Sequence, residues 1–164
     1  MTAIALYLRQ VSEQRRIRDR LLDGLCDADA RWQPDPELPC AIWHLLHAAF
    51  TNAATFLGQG DDDWSLLPAA MCTAFNIGSG VARPEDLPAL GEARALVATW
   101  DAAGDARVAR QRDLQAPLAA PRPGWLPAGC VVWFDVLAYM MPHEAFHHGE
   151  IALLGRLRGR PRLE

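Results

Sequence analysis

The five histidines of this chain fall in two clusters, His44 with His47 and His143 with His147 and His148. His143 and His147 form an H-x-x-x-H pair. That spacing puts two imidazoles one helical turn apart on one side, near enough to chelate a single ion. Taken from His143, His147 lies about 40° to one side and Glu150 about 20° to the other on a helix of 3.6 residues per turn. Val132, Val136, Tyr139, Met140, Ile151, Leu154 and Leu157 share the same arc. The pattern therefore predicts two imidazoles and a carboxylate in the middle of a buried face. Left without partners, buried polar groups cost about 1–3 kcal/mol each, so something must satisfy them. His148 falls about 100° beyond His147, toward solvent.

The other cluster separates its two members. Ile42, Trp43, Leu45, Leu46, Ala49, Phe50, Ala53, Phe56 and Leu57 make an apolar arc, with His47 at its edge beside Trp43, Phe50 and Ala54. His44 falls about 60° farther out, on the side of Thr51 and Thr55. His47 is thus expected to point inward, and His44 to lie at the surface or behind a ligand. A third imidazole from a facing helix completes a neutral ligand set with open positions, which is the catalytic rather than the closed structural pattern. An H-x-x-x-H pair alone is a weak signal. Its conjunction with His47 and Glu150 selects His47, His143 and His147 as candidate metal ligands. Glu150 is the candidate fourth ligand or general base, with Glu144 as a second possible proton acceptor. A metal-free bundle, its histidines bonded to Glu150, Tyr139 or backbone, is the competing reading.

Helices must carry these residues. Ile4, Tyr7, Leu8, Val11, Ile17, Leu21, Leu22 and Leu25 gather on one face of a first helix from about Thr2 to Leu25, which Gln14 and Arg18 interrupt. That interruption marks either a bundle edge or a polar contact inside. Gly24 and Cys26-Asp27-Ala28-Asp29 end it, and Trp32 to Pro39 is a proline-rich connection. A second helix starts near Pro39–Cys40 and stops at Gly58. A long loop follows through Asp61-Asp62-Asp63 to a turn at Gly78-Ser79-Gly80. The third helix covers about Glu85 to Asp113, and a crossover loop from Ala116 to Gly129 leads to the fourth, from about Val131 to Arg158. Pro142 deletes one backbone bond there, but His143 to Glu150 lie on one side of it. The expected fold is all-α: a four-helix bundle with long connections between helices 2–3 and 3–4, forming one domain over residues 1–164.

Composition narrows the function. The chain has 164 residues and a net charge of −4, with all 16 basic residues arginine. A nucleic-acid partner normally calls for a basic surplus, so none is expected, despite Arg156, Arg158, Arg160 and Arg162 near the end. No apolar run is long enough to span a membrane, and the segment Met1 to Leu8 lacks the basic start of a secretory signal. A cytoplasmic location is the expectation. Cys26, Cys40, Cys72 and Cys130 show no C-x-x-C spacing and are expected to be reduced and at least partly buried. Asp61-Asp62-Asp63 lacks the ligand spacing of a calcium loop, Ser79 has no nucleophile-elbow context, and Trp125 and Trp133 fit core packing better than a substrate cavity.

The stretch Pro142-His143-Glu144-Ala145-Phe146-His147-His148-Gly149-Glu150-Ile151, followed by Leu154 and the Arg-rich end, resembles the last helix of the DinB/YfiT-like superfamily. Trp32-Gln33-Pro34, followed by Ile42-Trp43-His44-Leu45-Leu46-His47, resembles the start of that family's second helix and its first ligand. The resemblance implies a four-helix bundle with a divalent ion, often zinc or nickel, on His47, His143 and His147. It also implies a homodimer, and relatives that are transferases or isomerases using low-molecular-weight thiols. Two positions depart from the family pattern, which commonly has Arg and Gln where this chain has His148 and Glu150. The function expected is a metal-dependent thiol S-transferase or hydrolase acting on a small molecule. The alternative is a metal-binding sensor or stress-response module without turnover.

Overall fold

The structure, a computed structural model, describes residues 1–59, 66, 67, 71, 74, 75, 82–119 and 126–162. Cys72, the Asp61-Asp62-Asp63 run, the Gly78-Ser79-Gly80 turn and Trp125 lie outside the described residues. Helix α1 (Ala3–Leu22) is capped by Thr2, whose hydroxyl accepts the Ala5 N–H at 3.2 Å. It ends ahead of Gly24, which takes φ +71°, a backbone state that a side chain disfavours. The run expected only to end α1 forms a helix of its own, α2 (Asp27–Ala30), because Cys26 Sγ accepts the Asp29 N–H at 3.4 Å and caps it. Helix α3 spans Ala41–Leu57. A 3-10 turn at Pro84–Asp86 precedes α4 (Leu90–Arg110). The third long helix thus begins later than Glu85, since Pro88 disfavours the helical state in the residue before it. Helix α5 (Trp133–Leu157) runs through Pro142 without ending.

All described elements are helical, and the long ones build a bundle. Helix α1 packs on α4 and α5, and so does α3, which sets α1 and α3 on a diagonal. One half of the core gathers Ile42, Leu45, Leu46, Phe50, Val97 and Trp100, and the other Tyr7, Val11, Phe56, Val108, Trp133 and Met140. Trp133 stacks on Phe56 at 6.3 Å and is a core residue. Gly104 lets α4 approach α3 closely, because a Cβ there would meet Phe56 Cδ2 at 3.3 Å. Cys40 and Cys130 are buried and in no disulfide, whereas Cys26 is exposed, contrary to expectation.

Three placements correct the helical-face reading. Every residue of α3 except Trp43 is buried, so His44 is not at the surface. An arc drawn from apolar positions assumed a solvent side that this helix lacks. His148 is buried too, because α5 is covered by α1 as well as α3. The buried residues of α5 centre near Glu144 and Ile151, about 80° round from the predicted centre. His143 and Glu150 consequently sit at the rim of the buried arc, both half-buried. Ile17 on α1 is 48% exposed, whereas Arg18 is buried: the polar interruption of that face is an internal contact.

Candidate metal centre

Helices α3 and α5 bring three imidazoles together. His47 comes from the middle of α3, and His143 and His147 from successive turns of α5. One nitrogen from each ring lies within 4.8 Å of the other two. His143 Nε2 and His147 Nε2 are 3.3 Å apart. Two nitrogens bound to one zinc at about 2.0–2.1 Å and a tetrahedral angle stand about 3.4 Å from each other, so the pair already has chelating separation.

Each ring is held differently. His47 Nδ1–H donates to the Phe75 carbonyl at 2.9 Å, which leaves Nε2 as its lone-pair atom, and Trp43 stacks on the ring at 4.5 Å. His147 Nδ1 meets His44 Nδ1 at 2.9 Å, so its Nε2 is the atom turned toward His143. His143 stacks on Tyr139, and its Nδ1 is buried with no hydrogen-bond partner among the described residues.

The rings are also in the protonation state that a metal needs. Burial holds His143 down at about 4, with the neighbouring His47 adding to it. Burial and the surrounding histidines push His147 down to about 2. His47 is lowered by burial, against the opposing bond to Phe75. At neutral pH all three are neutral, so the facing His143 and His147 nitrogens can either share one proton in a hydrogen bond or, with both lone pairs free, bind a cation. The donor set therefore fits a divalent ion. A carboxylate is not part of this group: Glu150 contributes no oxygen to the set and makes no hydrogen bond or ion pair with the described residues.

A second polar cluster lies across α5. Glu144 is buried, accepting from Arg15 Nε at 3.3 Å and from Asn52 Nδ2 at 3.0 Å, and His148 stands 3.8 Å from it. Asp101 on α4 meets Arg18 at 2.8 Å and Arg15 at 3.3 Å, and Asp105 takes Arg15 at 2.6 Å. Two guanidinium groups and the two aspartates already balance. Burial, reinforced by Asp101, therefore outweighs Arg15 and pushes the Glu144 carboxyl up to about 7. With its oxygens so engaged, Glu144 is not available as the acceptor for a reaction at the histidines.

The helical projection did not reveal this cluster, and of the two places it left open for His44, the surface or behind a ligand, the structure shows the second, against His147. Signals existed for both: Ala41–Leu57 contains no charged residue, the mark of a helix buried all round, and Arg18 interrupts an apolar face.

Against known proteins, the family model described as the DinB superfamily matches residues 10–151. No curated protein matches the chain.

Proposed function

The chain belongs to the DinB superfamily, and from that premise we propose that it is a divalent-metal-dependent enzyme acting on a small molecule. The proposed ion is zinc or nickel on His47, His143 and His147. The observation that carries the reading is the convergence of three neutral imidazoles with no carboxylate among them. Such a ligand set leaves the ion its full charge and an open position. A bound ion supplies acidification of a water or thiol, or polarisation of a carbonyl.

The protein's own residues supply the rest. Trp43 and Tyr139 wall the histidines, and Phe146 stands edge-on to His147 at 5.1 Å. Glu150, half-buried at the rim and free of partners among the described residues, is the proposed proton acceptor. Thiol S-transfer is the favoured reaction, with a low-molecular-weight thiol as co-substrate; hydrolysis is the other. The direct test is elemental analysis of protein purified without a nickel column. Cobalt-substituted protein is then offered small thiols, with an expected thiolate-to-metal absorption band, followed by electrophiles and simple esters. Metal without a band or turnover would leave a non-catalytic metal-binding module.

The wider setting follows the same reading: one domain over residues 1–164, acting in the cytoplasm as a homodimer. No helix among the described residues is long and apolar enough to cross a membrane. The proposed dimer face is the outer side of α5, where Phe134, Phe146, Leu153 and Leu157 are exposed. Asp135 stands in its first turn and Arg156 in its last. An antiparallel α5 of a second copy, about a two-fold between Ala145 and Phe146, sets each Asp135 opposite the other copy's Arg156 and opposes the helix dipoles. Phe146→Glu should yield a monomer in analytical ultracentrifugation; an unchanged sedimentation coefficient overturns this face.

A further inference from the structure

The three candidate ligands differ in what fixes their tautomer. His47 Nδ1–H is committed to a backbone carbonyl, an acceptor that cannot exchange roles. His143 Nδ1 has no partner among the described residues. His147 alone depends on another side chain, His44, through a bond between two Nδ1 atoms, each of which can donate or accept.

Only one of the two proton arrangements is compatible with ligation. If His44 Nδ1 carried the proton, His147 Nδ1 would be the acceptor. A neutral His147 would then carry its own proton on Nε2, aimed at His143 Nε2, with no lone pair left for an ion. If His147 Nδ1 carries the proton, His44 Nδ1 accepts it and His147 Nε2 is free. Both rings are buried, and Trp43 stands edge-on to His44 at 5.4 Å.

We propose that His44 is a positioning residue: it accepts the His147 Nδ1 proton and so holds His147 in the tautomer and orientation that present Nε2 to the ion. This rests on the metal reading above. A hydrogen-bonded partner behind a ligating histidine is worth about 10–100-fold in metal affinity, so that is the size of effect sought.

Two substitutions of similar bulk isolate the hydrogen bond from the packing. His44→Leu fills the space without an acceptor, and its near-isostere His44→Asn can place an amide oxygen where Nδ1 stood. Zinc affinity is measured by competition with a chromophoric chelator. His44→Leu should bind about 10–100-fold more weakly than wild type, with His44→Asn recovering much of the loss. Long-range ¹H–¹⁵N spectra of zinc-loaded wild type should show Nδ1 protonated in His147 and unprotonated in His44. The opposite assignment, or equal affinity in His44→Leu and His44→Asn, overturns the inference while leaving the metal site standing. Wild-type protein that binds no zinc overturns the metal reading itself, and this inference with it.

Discussion

Helix α5 carries two pairs at i, i+4 spacing, one residue out of step: His143 with His147, and Glu144 with His148. The first pair faces His47 at the rim between α3 and α5. The second enters the interior beside Arg15, Arg18, Asp101 and Asn52. A rotation of about 100° separates them, and with it their chemistry. The rim group is neutral and its ring nitrogens converge; it includes one polar atom, His143 Nδ1, with no hydrogen-bond partner among the described residues, as the interior group does at His148 Nε2 and Asn52 Oδ1. The interior group is charged and densely bonded. Residue type does not distinguish a metal centre from a structural network here; what distinguishes them is charge, since the interior sets carboxylates against guanidinium groups and the rim holds imidazoles alone.

The largest effect should come from the interior. Asp101→Ala removes the carboxylate shared by Arg15 and Arg18, and leaves the buried Arg18 with only the exposed Asp19. We expect a loss of about 3–5 kcal/mol in urea unfolding of metal-free protein, as for other broken buried pairs. His143→Ala, at the half-buried rim, should cost about 1 kcal/mol under the same conditions. Equal costs would abolish the distinction between the two clusters.

The ion should act in the opposite sense. Zinc at about 1,000 times its Kd should raise wild-type stability by about 4 kcal/mol, since a site built from two helices does not exist in the unfolded chain. His47→Ala should show no such gain. Chelation should return wild type to its metal-free melting temperature with helical content unchanged. Zinc-dependent stabilisation of His47→Ala equal to wild type would remove His47 from the ligand set.

Acidity sets the clusters against each other in metal-free protein. Burial holds His44 and His143 at about 4, His147 at about 2 and His148 at about 3. Their folded values lie below the ordinary 6.5. Stability from these groups is present above pH 6.5 and is lost as pH falls, because the unfolded chain then binds more protons. Glu144, raised from 4.5 to about 7, works in reverse, contributing below pH 4.5 and losing that contribution as pH rises. His47 is lowered by burial as well, so five histidines oppose one carboxylate. Stability should therefore fall by at least about 3 kcal/mol from pH 6.5 to 5.5, at about 1 kcal/mol for each of the four strongly lowered histidines less a similar amount for Glu144, with His47 adding to the fall. Glu144→Gln should steepen the acid limb and raise stability at pH 8. A pH-independent unfolding free energy across this range would mean that these side chains are solvated.

How much of this could be read from the chain follows from what periodicity encodes. Four long helices, their order and the meeting of His47 with His143 and His147 were all legible, because chelating spacing and apolar recurrence are local. The rotation of α5 was not. Val132, Tyr139 and Leu157, none of them buried, drew the predicted centre toward His143, whereas Glu144 and His148 are buried only because residues distant in sequence neutralise or enclose them. Polar residues buried by long-range partners look like surface in any helical projection.

Glu150 provides the smallest stability effect and the sharpest contrast with Glu144. Both are carboxylates on α5, less than two turns apart. One is engaged by Arg15 and Asn52; the other bonds to nothing among the described residues. Removing a half-buried group without partners leaves no orphaned donor and little cavity, so Glu150→Ala should change the unfolding free energy by no more than about 0.5 kcal/mol. If Glu150 receives the proton in the reaction, Glu150→Gln should lower turnover about a hundredfold or more with zinc affinity unchanged. If it closes the site as a fourth ligand, the same variant should bind zinc more weakly. A loss of stability comparable to that of Asp101→Ala would instead place Glu150 with the interior network. Comparing urea midpoints, zinc affinity and turnover for this one side chain thus separates base, ligand and structural roles.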